Sequence, residues 1–143
     1  MSHLPTPICE FRIYPGSKHG VYWTVRIFRT LKEMRRFASR TSRDVPDAYG
    51  VCQNYRAYCV KSNGQMRLSR KEWGHILMAK QHLGTRIIVH ECVHAAIQWC
   101  DWKGINPMNS TPPWASKAEE LACTATENLV ANLVDALYHR KLL

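Results

Sequence analysis

Arg86-Ile87-Ile88-Val89-His90-Glu91-Cys92-Val93-His94-Ala95-Ala96-Ile97-Gln98-Trp99-Cys100 is the stretch from which the rest of the chain can be read. Its apolar positions recur at helical spacing, so a helix is predicted from about Arg86 to Cys100. On a helix, His90 and His94 stand one turn apart and share a face, while Glu91 is rotated from His90 by about 100°. Two imidazoles so placed can converge on one Zn²⁺, and Glu91 can reach a water at that ion without occupying the metal. The competing reading is a solvated face on which two histidines happen to align. Val89, Val93 and Ala96 weigh against it, because they predict a largely buried helix, where unpaired histidines are costly.

A metal that works on a substrate needs a third protein ligand and an open position. Downstream of the motif the candidates are Glu119 and Glu120. Between them and the motif lie Gly104, Asn106-Pro107 and Pro112-Pro113, which predict a break in helix and a chain reversal. A last helix is then predicted from about Ala115 to Arg140. Its Ala118, Ala122, Ala125, Leu129, Leu133 and Ala136 form a small-residue face suited to close packing on another helix. Glu119 lies near the edge of that face and Glu120 nearly opposite, which favours Glu119. Ser116 with Glu119 also spells a capping box, which would use the carboxylate at the helix start instead.

Toward the N-terminus, Glu10 to Tyr14 and Val21 to Phe28 read as strands, with Pro15-Gly16-Ser17 between them as a hairpin break. Thr30 and Glu33 form a capping box before the apolar stripe Leu31, Met34, Phe37 and Ala38 of a first helix. Tyr49 to Tyr55 and Arg56 to Lys61 alternate as strands, Ser62-Asn63-Gly64 is a turn, and Gln65 to Leu68 is a short strand. Ser69 with Glu72 repeats the capping pattern and predicts a helix carrying Trp73, Ile76 and Leu77 to about Gly84.

The chain has 143 residues, 45% of them hydrophobic and 22% charged, which predicts one folded domain spanning 1–143 rather than disorder or a repeat array. The opening residues lack a secretory pattern and no apolar run reaches membrane-spanning length, so a soluble, cytoplasmic protein is expected, with no membrane partner. Six cysteines without closely spaced pairs read as reduced packing residues in that compartment. Twenty Lys and Arg against eleven Asp and Glu give +9, which favours anionic partners by long-range attraction.

His90-Glu91-Cys92-Val93-His94 together with Glu119-Glu120-Leu121-Ala122, where Glu119 and Ala122 keep an E-x-x-A spacing, resembles the zincin-like metallopeptidases. The likeness is to the gluzincin branch, in which a downstream glutamate is the third zinc ligand, and to small phage- and prophage-encoded members. It covers about residues 85 to 135. The resemblance implies an α+β fold: a twisted mixed sheet, an active-site HExxH helix beneath it, and a packed C-terminal helix. It also implies an edge strand bordering the cleft, for which Gln65 to Leu68 is the nominee. The implied function is hydrolysis of peptide bonds in a peptide or protein substrate, with Zn²⁺ on His90, His94 and Glu119 and with Glu91 as general base. Sequence does not choose an oxyanion donor among Tyr49, Tyr55, Tyr58, His75 and His82, and Tyr138 and His139 lie several turns beyond Glu119.

Two other function classes fit parts of the same sequence. One is a non-catalytic domain in which zinc staples two helices and a cysteine such as Cys92 or Cys123 closes the fourth position. The other is a basic nucleic-acid-binding module, resting on Arg35, Arg36, Arg40 and Arg43 near the first helix and on Arg67, Arg70 and Lys71 elsewhere. No helix-turn-helix, zinc-finger or RNA-recognition signature accompanies that charge, so at most weak association through a basic surface is expected.

Overall fold

A computed structural model describes residues 3–41, 46–55, 71–108 and 117–143. The elements run β1 (Cys9–Ile13), β2 (Tyr22–Phe28), α1 (Leu31–Thr41), β3 (Gly50–Asn54), β4 (Glu72–Ala79), a 3-10 turn (Lys80–His82), α2 (Thr85–Lys103) and α3 (Lys117–His139). The four strands form one mixed sheet in the order β1-β2-β4-β3. β1 pairs antiparallel with β2, β2 parallel with β4, and β4 antiparallel with β3. The class is mixed α and β, compatible with the expected α+β arrangement. Among the described residues no helix is long and apolar enough to cross a membrane.

Helices cover both faces of the sheet. On one face, Trp23, Val25, Ile27, Ile76 and Met78 pack with Ile88, Cys92, Ala95 and Ala96 of α2 and with Ala125, Leu129, Leu133 and Leu137 of α3. On the other, Phe28, Val51, Leu77 and Ala79 close over Met34 and Ala38 of α1. Each of the large aliphatic side chains so buried contributes about 1.5–3 kcal/mol. α1 opens with half of the expected capping box: the Glu33 N–H donates to Thr30 Oγ1 at 3.2 Å, while the Glu33 carboxylate accepts from the N–H of Arg29, one residue before the cap, at 3.2 Å. α2 ends at Gly104, whose left-handed φ of 69° lets its N–H return to the Asp101 carbonyl and the Ile105 N–H to the Cys100 carbonyl.

One predicted element is corrected. The helix expected from Ser69 to Gly84 is instead the strand β4 from Glu72 to Ala79, followed by the 3-10 turn. The physical reason is its central position between β2 and β3, with helices on both faces. Every residue from Trp73 to Ala79 is buried, so the apolar run shows no period-two alternation. Such a run cannot be told from a buried helix by periodicity. The expected β1–β2 pair, a strand within Tyr49 to Tyr55 and a helix over Arg86 to Cys100 are present with shifted ends. The helix expected from Ala115 to Arg140 is present over Lys117–His139, Ala115 and Ser116 lying outside the described residues. The strands expected at Arg56 to Lys61 and Gln65 to Leu68, with their turn, lie outside the described residues.

A second correction concerns α2. Val89 and Val93, expected to be buried, are 40% and 39% exposed, and Ile97 is 61% exposed. The buried side of α2 is Ile88, Cys92, Ala95, Ala96 and Cys100, because the sheet and α3 meet the helix on those positions.

Candidate metal centre

His90 and His94 sit in the middle of α2, where the unbroken helix fixes their spacing. Their side chains turn toward β3 and line a cleft of about 410 Å³ with Ala48, Tyr49, Gly50, Val51, Cys52, Arg86 and Gln98. The two Nε2 atoms face each other at 3.1 Å, with ring centroids 4.8 Å apart. Tetrahedral zinc with bonds of about 2.0–2.1 Å holds two nitrogens about 3.3 Å apart. The observed pair is within a few tenths of an ångström of that bite.

Glu91, rotated toward the sheet, is only 3% exposed, yet it lines the same cleft. Burial raises its carboxyl from 4.5 to about 7, into the range where a carboxylate can both take and give a proton near neutrality. Its Oε2 is buried without a hydrogen-bond partner among the described residues. A buried oxygen left in that state costs free energy unless a water or ion completes it. The carboxylate fits against β3 because position 50 is glycine. A Cβ there would stand 2.7 Å from Glu91 Oε1, 3.0 Å from Cγ and 3.1 Å from Cδ.

The thiols nearby are poor candidates for the ion. Burial pushes Cys92 up to about 12 and Cys52 well above the ordinary thiol value, so both stay protonated at neutral pH. Cys92 is packed in the core rather than set in the cleft. Among the described residues, Cys9, Cys52, Cys92, Cys100 and Cys123 are free thiols, and Cys123 is exposed; Cys59 lies outside them.

Glu119 and Glu120 are both exposed in the first turn of α3. Glu119 lines a shallow hollow with Pro107, Ala122, Cys123, Thr126 and Glu127, separate from the histidine cleft. Ala122, one turn on, shares a different hollow with Val93, Ala96 and Ile97, so the start of α3 runs along the motif helix. Among the described residues, no three His, Cys, Asp or Glu side chains are grouped closely enough to hold one metal. The structure thus joins His90, Glu91 and His94 and does not bring Glu119 to them. Ser116, the other half of the capping box, lies outside the described residues.

Of the residues among which sequence left the oxyanion donor open, the structure brings Tyr49 to the cleft, where it is half exposed and meets the His82 ring edge-on at 5.1 Å. His75 is on the opposite face of the sheet beside Phe37, with Tyr55 Oη 3.2 Å from its Nδ1. Tyr58 lies outside the described residues. Gly50 and Arg86 were not singled out by sequence reasoning. Arg86 carried one usable signal, since it stands one turn before His90. Gly50 carried none, because its importance is a contact with a residue distant in sequence. No family model, curated protein or solved structure matches the chain.

Proposed function

We propose that this chain is a zinc-dependent peptidase of zincin-like architecture. The observation that carries the reading is the pairing, in one cleft, of two imidazole nitrogens 3.1 Å apart with a buried, unpartnered carboxylate oxygen one residue away. His90 and His94 would hold the ion. Glu119 is the proposed third ligand and Glu120 the substitute on the E-x-x-A spacing alone; because Glu119 lines a separate hollow, the first turn of α3 would have to shift toward the histidines for it to bind. Zinc in this position supplies polarisation of a substrate carbonyl and acidification of a water.

The protein's own part falls to Glu91 and the cleft walls. A carboxyl displaced to about 7 can accept the water proton at Oε2 as the water oxygen bonds the carbonyl carbon. It can then return that proton to the amine nitrogen as the C–N bond breaks. Tyr49 is the side chain at the cleft mouth with a hydroxyl to offer the developing oxyanion. The free thiols among the described residues suit a reducing compartment, so we place the activity in the cytoplasm.

The test is metal content against activity. Elemental analysis should find about one zinc per wild-type chain and little in His94→Ala. Glu91→Gln should keep its zinc and lose peptide hydrolysis. Equal zinc in wild type and His94→Ala ends the proposal; zinc-dependent folding with no activity change in Glu91→Gln turns it into a structural zinc domain.

Weak association with nucleic acid is a second reading. It is favoured by the exposed Arg29, Lys32, Arg36 and Arg40 on and before α1, where Glu33 is the one acid. Steep loss of DNA affinity with salt would support it, and no binding at low salt would end it.

A further inference from the structure

The α2 wall of the cleft carries Arg86, His90, His94 and Gln98 at one-turn intervals, with Ile87 and Glu91 beside them. Of the charged groups lining the cleft, Glu91 is the acid and is buried, whereas Arg86 is an exposed cation. No carboxylate pairs with Arg86 among the described residues. A second cation, Arg35 of α1, is held against the segment that forms part of the cleft wall without itself lining the cleft. Arg35 Nε donates to the Ala48 carbonyl at 2.9 Å, and its guanidinium lies 5.5 Å from the Tyr49 ring centre, so both Arg35 contacts are to residues of the cleft wall. The first turn of α2 carries no acid to oppose these charges.

We infer that Arg86 selects the substrate by taking a carboxylate of the bound peptide, either an acidic side chain or a free C-terminus. The inference rests on the peptidase reading and adds the substrate class to it. A guanidinium presents a planar fork of donors that matches a carboxylate with two parallel hydrogen bonds. The four-residue step from Arg86 to His90 spans about 6 Å along the helix. An extended peptide advances about 3.3 Å per residue, so the carboxylate falls about two residues from the bond that is cut. Arg86 touches substrate here as a specificity residue; it takes no part in the proton transfers of Glu91.

Two arms test this. In the first, zinc-loaded Glu91→Gln protein is titrated calorimetrically with capped hexa-alanine peptides bearing Glu, Gln or Lys at the third position, and with hexa-alanine whose C-terminus is free. The Glu peptide should bind about tenfold more tightly than the Gln peptide and the Lys peptide more weakly than either. The free-acid peptide reports whether a terminal carboxylate serves as well. Adding Arg86→Gln should erase these differences, and Arg86→Lys should retain part of them. In the second arm, wild-type protein digests a proteome-derived peptide library read by mass spectrometry. Acidic residues should be enriched at one position about two residues from the cut, and Arg86→Glu should reverse the preference toward Lys. Equal affinity for Glu and Gln peptides, measurable or not, overturns the assignment, as does a preference that survives Arg86→Gln. Charge-selective binding without hydrolysis overturns the peptidase reading and leaves Arg86 standing. Hydrolysis without acidic preference does the reverse.

Discussion

Gly50→Ala tests whether the position of the Glu91 carboxylate depends on a missing side chain. The new Cβ would lie 2.7 Å from Oε1, where ordinary contact begins at 3.4 Å, so the carboxylate must retreat by about 0.7 Å. Cγ and Cδ, at 3.0 and 3.1 Å, must move as well, which ties the displacement to the whole side chain rather than to a free end. Overpacking of this kind costs about 1–3 kcal/mol. The backbone adds no strain, since among the described residues only Gly104 and Lys141 have positive φ. Alanine should even stabilise Gly50 by about 0.4–1 kcal/mol once the clash is gone, through the unfolded chain. The assay is therefore a double-mutant cycle by urea unfolding of zinc-free protein. Gly50→Ala should cost about 1–3 kcal/mol in wild type and nothing, or slightly less than nothing, in Glu91→Ala. On the proposed peptidase reading, zinc-loaded Gly50→Ala should hydrolyse peptide about a hundredfold more slowly with zinc content unchanged, because a displacement near 1 Å spoils alignment. The same cost in both backgrounds would refute the reasoning, whatever happens to activity.

Other outcomes follow from the buried titrating groups and the core. Burial raises Glu91 from 4.5 to about 7, so its stabilising contribution is present below pH 4.5 and lost as pH rises through 7. His75 is lowered from 6.5 to about 4 by burial and then by Arg26, so its contribution is present above pH 6.5 and lost as pH falls through 4. Each displacement amounts to about 3 kcal/mol, and between pH 4.5 and 6.5 the two slopes oppose one another. Urea unfolding in EDTA should therefore show a flat wild-type profile there, Glu91→Gln weakening toward acid and His75→Asn weakening toward neutral pH. A flat profile for both variants would contradict the burial of these groups. Leu133→Ala, at a fully buried position in the core shared by α2, α3 and the sheet, should cost about 2–5 kcal/mol by the same assay. Tyr138→Ala, on the exposed side of α3, should change stability by no more than about 0.5 kcal/mol.

Local rules were enough for what is held within a few residues. The pairing of His90 with His94, the Thr30–Glu33 cap, the β1–β2 pair and the Ala125, Leu129 and Leu133 part of the expected α3 face follow from helical or strand spacing and from side chains that reach their own neighbours. Ala118, Ala122 and Ala136, by contrast, are only half-buried, and Leu137 completes the buried face. Local rules failed where partners come from afar. β4 is a strand because β2 and β3 flank it and two layers bury it, and nothing inside Glu72–Ala79 records that. The same holds for the side of α2 that meets α3, for the Gly50 space that admits Glu91, and for Arg86 standing in the histidine cleft. Hydrophobic burial is set by the total surface a side chain meets, and that surface exists only after distant segments have docked.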